Sequence, residues 1–430
     1  PDELIRTLQS TGWYGTVESD IVVRSSSVVT PNDSNYEFQT YLKSVDSLVD
    51  SPEVLIGHDF EGAWNLMPSD AAKVDVMVLD SVFKGTTDEM TFIDGYSFVS
   101  IFGEVPSTDY YPASEDDCIS THGLGVASVI GATTGNAYGI AGAASDYVNI
   151  TAARVMSCGV GALSDVANAI RYAAMLPMDS VAFPNLPVRD KPFDVINLSL
   201  SGQAPCPSFM QSAIDEARLA GVSVVVAAGN NGLDANDYAP GNCLGSLTAG
   251  AVSAVGDRAS YSNYGTSVKI TAQGNDVLGL AAIDGTVGWW EGTSFSSPLV
   301  ASAVSLAKSA GPNVTMELIE KLAGLSSDPF NDGAVNCAEG LCGKGVLNAK
   351  SLVSAVLKAE NGEMSMIRHA LASKTPCQQK WYVDHFGQSS RLCDMYEIDF
   401  LGGVSSEDNT FVLYRAPKGQ DFDYARDGRR

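Results

Sequence analysis

Four polar side chains stand at the ends of apolar runs, and together they could carry out acyl transfer. Asp80 closes VDVMVLD, His122 opens a Gly-rich helical run, Asn230 closes VSVVVAAGN, and Ser294 precedes a second helical run. A serine becomes a nucleophile when a histidine takes its proton and a carboxylate orients that histidine, and an amide can stabilise the oxyanion that forms. These residue types predict an activated serine if the fold brings them together.

Each of these residues also has an ordinary structural interpretation. A serine at the start of a helix is a common N-cap, an aspartate at a strand end is a common turn residue, and an asparagine beside glycine is a frequent turn signal. Ser294 in GTSFSSP is therefore either a helix cap or a nucleophile. The choice depends on where the other residues lie.

The elements that must position these residues alternate along the chain. Continuous apolar runs separated by amphipathic helical stretches indicate a parallel sheet covered on both faces, which is a three-layer α/β fold with a mostly parallel central sheet. Functional groups in such sheets gather where strands end in loops. The segment 80–122 is interpreted as a long loop region between two core elements. Predicted strands are 74–80, 147–156, 193–201 and 222–230, and predicted helices are 122–132, 164–174 and 207–221.

Composition excludes several function classes. The 430 residues include 51 acidic and 26 basic side chains, which gives a formal charge of −25 and a field that repels nucleic acid and anionic membranes. The longest apolar runs are strand-length, so no membrane span is predicted. The eight cysteines contain no CxxC pair, which favours disulfides in an oxidising compartment over a zinc site. Cys337–Cys342 and Cys377–Cys393 are the first pairings to test.

Five motifs carry a resemblance to a known family. VDVMVLDS, THGLGVASVIGA, DVINLSLSG, VVVAAGNNG and GTSFSSP follow one another in the order found in subtilisin-like serine proteases, the subtilase family or peptidase family S8. The order Asp, His, Ser is the one that subtilisin uses. The resemblance covers about residues 31–358 and implies a subtilisin-like fold and a serine endopeptidase, a hydrolase that forms an acyl-enzyme.

The resemblance assigns roles by matched position. Ser294 would be the nucleophile, His122 the general base and acid, Asp80 the orienting carboxylate, and Asn230 part of the oxyanion hole. An extended protein or peptide substrate would pair with the strand that carries Ser199, Leu200, Ser201 and Gly202. Broad cleavage after large apolar residues is expected, with Asp234 and Asp237 as solvated loop charges.

Three positions depart from the family pattern, namely Val82, Leu124 and Ser296. They keep open a catalytically silent homologue that acts as a binding protein. An esterase that uses the same serine is a third hypothesis, since an acyl-enzyme can accept esters too.

The resemblance also implies a structural calcium ion. TTGNAYGIAG resembles the calcium-binding loop of subtilases, with Asn136 as the matching side chain and Thr134, Tyr138 and Ile140 as carbonyl donors. Carboxylates from elsewhere are expected because calcium takes six to eight oxygens. The predicted acids are Asp33 and Asp88, with Glu89 as a substitute for Asp88.

Three regions are predicted along the chain. Residues 1–28 resemble the closing part of an inhibitory propeptide, residues 29–358 form the catalytic domain, and residues 359–430 are a C-terminal extension without an assigned role. The expected protein is a zymogen that is secreted, acts outside the cell as a monomer and meets its own propeptide as a partner.

Overall fold

The computed structural model describes residues 30–48, 56–83, 88–101, 103–111, 121–178, 186–282, 286–330, 337 and 340–361, and the backbone of 381–383 and 389–391. The predictions for the propeptide, for the Cys377–Cys393 pair and for most of the C-terminal extension concern residues outside these ranges. Within them, no helix is both long and apolar enough to cross a membrane.

The chain alternates strands and helices over most of its described length. The strands are β1 (Val74–Asp80), β2 (Asp94–Ser97), β3 (Val148–Arg154), β4 (Met156–Ser157), β5 (Val160–Gly161), β6 (Val195–Leu198), β7 (Gly202–Gln203), β8 (Ser223–Ala227), β9 (Tyr238–Ala239), β10 (Leu247–Val252), β11 (Ile270–Gln273), β12 (Val277–Leu280), β13 (Val287–Trp290), β14 (Trp381–Val383) and β15 (Ser389–Arg391). The helices are α1 (Phe60–Trp64), α2 (His122–Gly131), α3 (Leu163–Ala173), α4 (Ser208–Leu219), α5 (Thr293–Ala310), α6 (Met316–Leu325) and α7 (Ala349–Glu360).

Seven of these strands form one central sheet in the order β11-β10-β8-β6-β1-β3-β2. All neighbouring pairs in this sheet run parallel. Parallel strands need crossover connections, and the helices supply several of them. The carboxyl ends of the strands therefore lie at one edge, where β1 ends at Asp80 and β6 runs into Ser199.

The two faces of the sheet pack against two separate sets of helices. Along β1, Val76 and Val78 join the core that contains α2 and α5, whereas Met77 and Leu79 join the core that contains α3 and α4. Successive side chains of a strand point to opposite faces, so a continuous apolar run is what a sheet covered on both sides requires. The predicted three-layer α/β fold is confirmed.

The segment 80–122 was predicted to be a long loop region, but the structure shows a strand within it. β2 lies within it and pairs with β3 at the edge of the sheet. The sequence of β2 is DGYS, which has no β-branched residue. The strand therefore forms because it pairs with its neighbour, and not because its own residues strongly prefer the strand conformation.

Disulfides close two described loops. Cys337–Cys342 is confirmed, and Cys206–Cys243 joins the segments that follow β7 and β9. Since β7 pairs with β9 as a two-stranded antiparallel ladder, this second bond holds together the region that follows the predicted substrate strand.

Candidate active site

The parallel sheet brings the predicted catalytic residues to one edge. Asp80 is the last residue of β1, Ser199 directly follows β6, and Asn230 lies three residues beyond the end of β8. His122 is the first residue of α2, and Ser294 lies in the first turn of α5. α5 packs along the central strands, which carries its N-terminus to the same edge.

Asp80 and His122 form a short hydrogen bond at the bottom of the site. The Nδ1–H of His122 donates to Asp80 Oδ1 at 2.8 Å, and the Ser81 amide donates to the same oxygen at 2.7 Å. Asp80 is fully buried, and a Cβ at Gly123 would lie 2.9 Å from the Ser81 carbonyl oxygen. Glycine at that position therefore lets α2 approach β1 closely enough for the pair to form.

This pair prepares His122 to act as a base. With Nδ1 holding its proton for Asp80, Nε2 is the atom left to accept one. Burial by itself lowers the pKa of the imidazole, but the charge of Asp80 and the hydrogen bond to it outweigh that effect and raise the pKa above its usual value. Phe295 and Trp290 enclose the ring edge-on, with centroids 5.7 and 6.2 Å away.

Ser294 is a residue of the helix and not its cap. Gly292 occupies the N-cap position of α5, and no side-chain cap hydrogen bond forms there. The Ser294 hydroxyl instead donates to the Ser199 carbonyl oxygen at 3.3 Å. No hydrogen bond joins Ser294 to His122 among the described atoms, and such catalytic contacts often form only when substrate is present.

Two N–H groups border one space beside Gly292. Asn230 Oδ1 accepts hydrogen bonds from the amide and the hydroxyl of Thr293, each at 2.8 Å, so the Nδ2 group is turned away from them. A Cβ built on Gly292 would lie 3.2 Å from Asn230 Nδ2 and 3.7 Å from the Ser294 amide nitrogen. An amide in the first turn of a helix has no partner within that helix. Both groups can therefore donate to an oxygen beside Gly292.

The predicted substrate strand lies next to these donors. Ser199 is buried, Leu200 is half-buried, Ser201 is exposed, and Gly202 begins β7. Nothing lies within 4 Å of a Cβ built on Gly202, so this stretch borders open space. Sequence patterns indicated this segment but not Asn197, whose buried amide within the apolar strand β6 was the available signal.

The three departures from the family pattern lie in the interior of the protein. Val82, Leu124 and Ser296 are all buried. Leu124 packs in the core formed with α5, and the Ser296 hydroxyl donates to the Ala272 carbonyl oxygen at 3.1 Å. Core packing and a hydrogen bond to the backbone thus account for Leu124 and Ser296.

The site combines a buried aspartate, a histidine packed against a serine-bearing helix and two N–H groups beside one space, all at the edge of a parallel α/β sheet. This is the arrangement of the serine hydrolases of the subtilisin-like class. The comparisons with known proteins agree. The model of the subtilase family matches residues 71–345, and the chain belongs to this family. The predicted family membership is confirmed.

Relatives and solved structures lie in the same family. An extracellular protease of Xanthomonas campestris pv. campestris is 29% identical over 400 residues, which cover 87% of this chain and 65% of that protein. An extracellular basic protease of Dichelobacter nodosus is 32% identical over 58% of this chain and 42% of its own length. A solved structure of a Pseudoalteromonas arctica protease superimposes with a TM-score of 0.66 at 29% identity, covering 76% of this chain and 99% of that one. The chain thus spans less than two thirds of the length of these two relatives.

Subtilases commonly bind calcium. In this structure the loop predicted to bind calcium, residues 133–142, instead donates hydrogen bonds to two carboxylates. Buried Glu89 accepts a hydrogen bond from the Ile140 amide at 2.6 Å and another from Asn136 Nδ2 at 2.8 Å. Both carboxylate oxygens of Asp33 accept a hydrogen bond from the Gly135 amide, at 2.9 and 3.1 Å. Calcium takes oxygen ligands, and N–H donors cannot serve as such.

The other predicted ligands do not complete a site. Asp88 is exposed, and Asn136 Oδ1 accepts the amide of Tyr138 at 2.9 Å. No group of three or more His, Cys, Asp or Glu side chains in the described part of the chain could hold a metal. The side chains of Asp33, Asn136 and Glu89 thus accept N–H groups, and Asp88 is exposed, so these side chains do not fit the calcium site predicted from Asp33, Asp88 or Glu89, and Asn136 with the carbonyls of Thr134, Tyr138 and Ile140. Calcium therefore has no part in the proposed chemistry.

Proposed function

We propose that this chain is a secreted serine endopeptidase that hydrolyses peptide bonds through an acyl-enzyme on Ser294. One observation carries the proposal. The Asp80–His122 pair lies at the same sheet edge as a space bordered by Asn230 Nδ2 and the Ser294 amide. A base that can take a proton and two donors that can stabilise an oxyanion are the groups that acyl transfer requires.

The proposed reaction moves one proton back and forth. The hydrogen bond from the Ser294 hydroxyl to the Ser199 carbonyl breaks, and the hydroxyl transfers its proton to His122 Nε2. The Ser294 oxygen then attacks the carbonyl carbon of the substrate. The carbonyl oxygen becomes an oxyanion beside Gly292, and His122 returns the proton to the leaving amine as the peptide bond breaks. Water then attacks the acyl-enzyme by the same route and releases the acid and free Ser294.

The proposed substrate is an extended peptide. It would lie along Ser199 to Gly202 as an added strand, which grips a backbone without reading every side chain. Asp234 accepts the amide of Asn236 at 3.0 Å, and both it and Asp237 are exposed. These observations support their interpretation as solvated loop charges, and cleavage after large apolar residues is the proposed specificity.

Secretion belongs to the same proposal. Relatives carry the word extracellular in their names, and the two described disulfides suit an oxidising compartment. We also propose, from the sequence, that the protein is a monomer and that its own propeptide binds to it. Calcium is left out because the loop carboxylates accept N–H groups.

The test is labelling with a fluorophosphonate probe, read by mass spectrometry. We expect one adduct, on Ser294, that disappears in Ser294→Ala and falls sharply in His122→Ala. Ser302→Ala is the matched control, because it removes a buried hydroxyl from the same helix that donates only to the Pro298 carbonyl. Correctly folded protein that takes no label, or that takes it equally well in Ser294→Ala, would overturn the proposal.

A further inference from the structure

A circuit of buried hydrogen bonds lies beneath the nucleophile. The Ser297 hydroxyl donates to Asn197 Oδ1 at 2.6 Å, and Asn197 Nδ2 donates to the Ser199 hydroxyl oxygen at 3.1 Å. The Ser199 hydroxyl donates to the Ser294 carbonyl oxygen at 2.8 Å. The circuit closes where the Ser294 hydroxyl donates to the Ser199 carbonyl oxygen. All four residues are buried, and the circuit joins α5 to β6.

The Ser294 carbonyl needs this partner because of a proline. Pro298 lies inside α5, four residues after Ser294. Proline has no N–H, so the helical hydrogen bond that would reach the Ser294 carbonyl is missing. A buried carbonyl without a donor is costly, and the Ser199 hydroxyl supplies the donor. The peptide group that follows the nucleophile is thereby attached to the substrate strand instead of to its own helix.

The amide of Asn197 sets the direction of the circuit. Ser199 has one hydroxyl proton, and Asn197 Nδ2 donates to Ser199, so that proton is left for the Ser294 carbonyl. The reverse orientation of the amide would draw the Ser199 proton to Asn197 and leave the Ser294 carbonyl unpaired, so the observed orientation satisfies every group. Only a side chain with both a donor and an acceptor can serve both Ser297 and Ser199 in this way.

We infer that Asn197 is a positioning residue for Ser294. It acts through Ser199 and touches neither substrate nor the reacting atoms. The inference rests on the proposed function, because it concerns the same nucleophile. By fixing the backbone of Ser294, the circuit sets both the direction of its hydroxyl and the placement of its amide in the oxyanion space.

The test is Asn197→Asp, which keeps the shape of the side chain and removes its donor. Both carboxylate oxygens accept, so the variant competes for the Ser199 proton. On a peptide p-nitroanilide with a large apolar residue before the scissile bond, we expect kcat to fall about 10- to 100-fold, as for loss of one buried hydrogen bond. KM should stay within about twofold, because the change acts on the placement of the nucleophile and not on substrate binding.

A double-variant comparison separates positioning from general damage. If Asn197 acts only through Ser199, then Asn197→Asp combined with Ser199→Ala should be no slower than Ser199→Ala alone. Asn149→Asp is the matched control, since Asn149 is an asparagine on β3, two strands from β6 in the same sheet, and its side chain donates a hydrogen bond to Asp75. It should lower the melting temperature and leave kcat unchanged.

Each outcome bears on one claim. A folded Asn197→Asp with wild-type kcat, or losses that multiply in the double variant, overturns the inference while the proposed function stands. A wild-type protein that neither hydrolyses the anilide nor takes the fluorophosphonate overturns the proposed function itself. Should Asn197→Asp fail to fold, Ser199→Ala removes the final donor directly, and unchanged kcat in that variant overturns the inference.

Discussion

His58 gives the structure a pH dependence whose size can be worked out. Its ring is fully buried and joins distant segments, because Nδ1 donates to the Leu347 carbonyl oxygen at 2.8 Å and Nε2 accepts the Gln273 amide at 2.9 Å. A carbonyl can only accept and an amide can only donate, so the imidazole must be neutral. Burial lowers its pKa from 6.5 to about 4, although the bond to Leu347 works in the opposite direction.

The shift converts directly to stability. The fall of the pKa from 6.5 to about 4 corresponds to ~3 kcal/mol at roughly 1.36 kcal/mol for each pKa unit. As the pH drops below 6.5 the unfolded chain takes up a proton that the folded ring refuses, so the free energy of unfolding declines until the pH reaches about 4. Above pH 6.5 the residue contributes no pH dependence.

Denaturant unfolding of the Ser294→Ala protein, which cannot digest itself, measures this effect. His58→Gln in the same background keeps a carbonyl for the Gln273 amide and cannot titrate. We expect the protein with His58 to lose ~3 kcal/mol relative to the Gln variant between about pH 7.5 and pH 4. Carboxylates titrate in both proteins and cancel in the difference. Equal slopes against pH in the two proteins would refute a buried neutral imidazole.

Three further changes test the site and the loop beside it. Asp80→Asn should remove the charge that raises the pKa of His122, moving the acid limb of the kcat/KM profile to lower pH and cutting kcat by about 10⁴; an unmoved limb would contradict the assignment. Gly292→Ala places a methyl 3.2 Å from Asn230 Nδ2 at a φ of 135°, so kcat should fall by about 10²–10³, a magnitude taken from subtilisin rather than worked from this structure, with KM nearly constant. Glu89→Gln should lose about 1–3 kcal/mol of unfolding free energy in denaturant, whereas EDTA should leave the wild-type melting temperature unchanged; a melting temperature that falls in EDTA would restore calcium.

Sequence patterns predicted the layers of the fold and the catalytic residues for different reasons. Five of the seven residues in VDVMVLD are apolar. A mostly apolar run is typical of a strand whose two faces are both covered. Asp80, His122, Asn230 and Ser294 were predicted because five motifs occurred together in order, since each residue alone suits a cap or a turn.

What the sequence did not reveal depends on partners that are distant in the chain. β2 forms because it pairs with β3 at the edge of the sheet, and the sequence DGYS alone does not predict a strand. Ser81 and Asn197 support the catalytic residues through hydrogen bonds that only the folded sheet brings within reach. The calcium prediction relied on the spacing of the loop, and spacing does not say whether carbonyl oxygens or N–H groups face the acids.

The order of the strands has a consequence for when activity can appear. β1 is paired with β3 and β6, which come later in the chain, and α5 reaches the site only by packing over strands contributed by most of the described sequence. Contacts of this kind are far apart along the chain and form slowly. Ser294 and His122 therefore reach the same edge only once nearly the whole sheet is complete. Under the proposed function, a partly folded copy would be a substrate and not yet an enzyme, and the appearance of activity would report the last stage of folding.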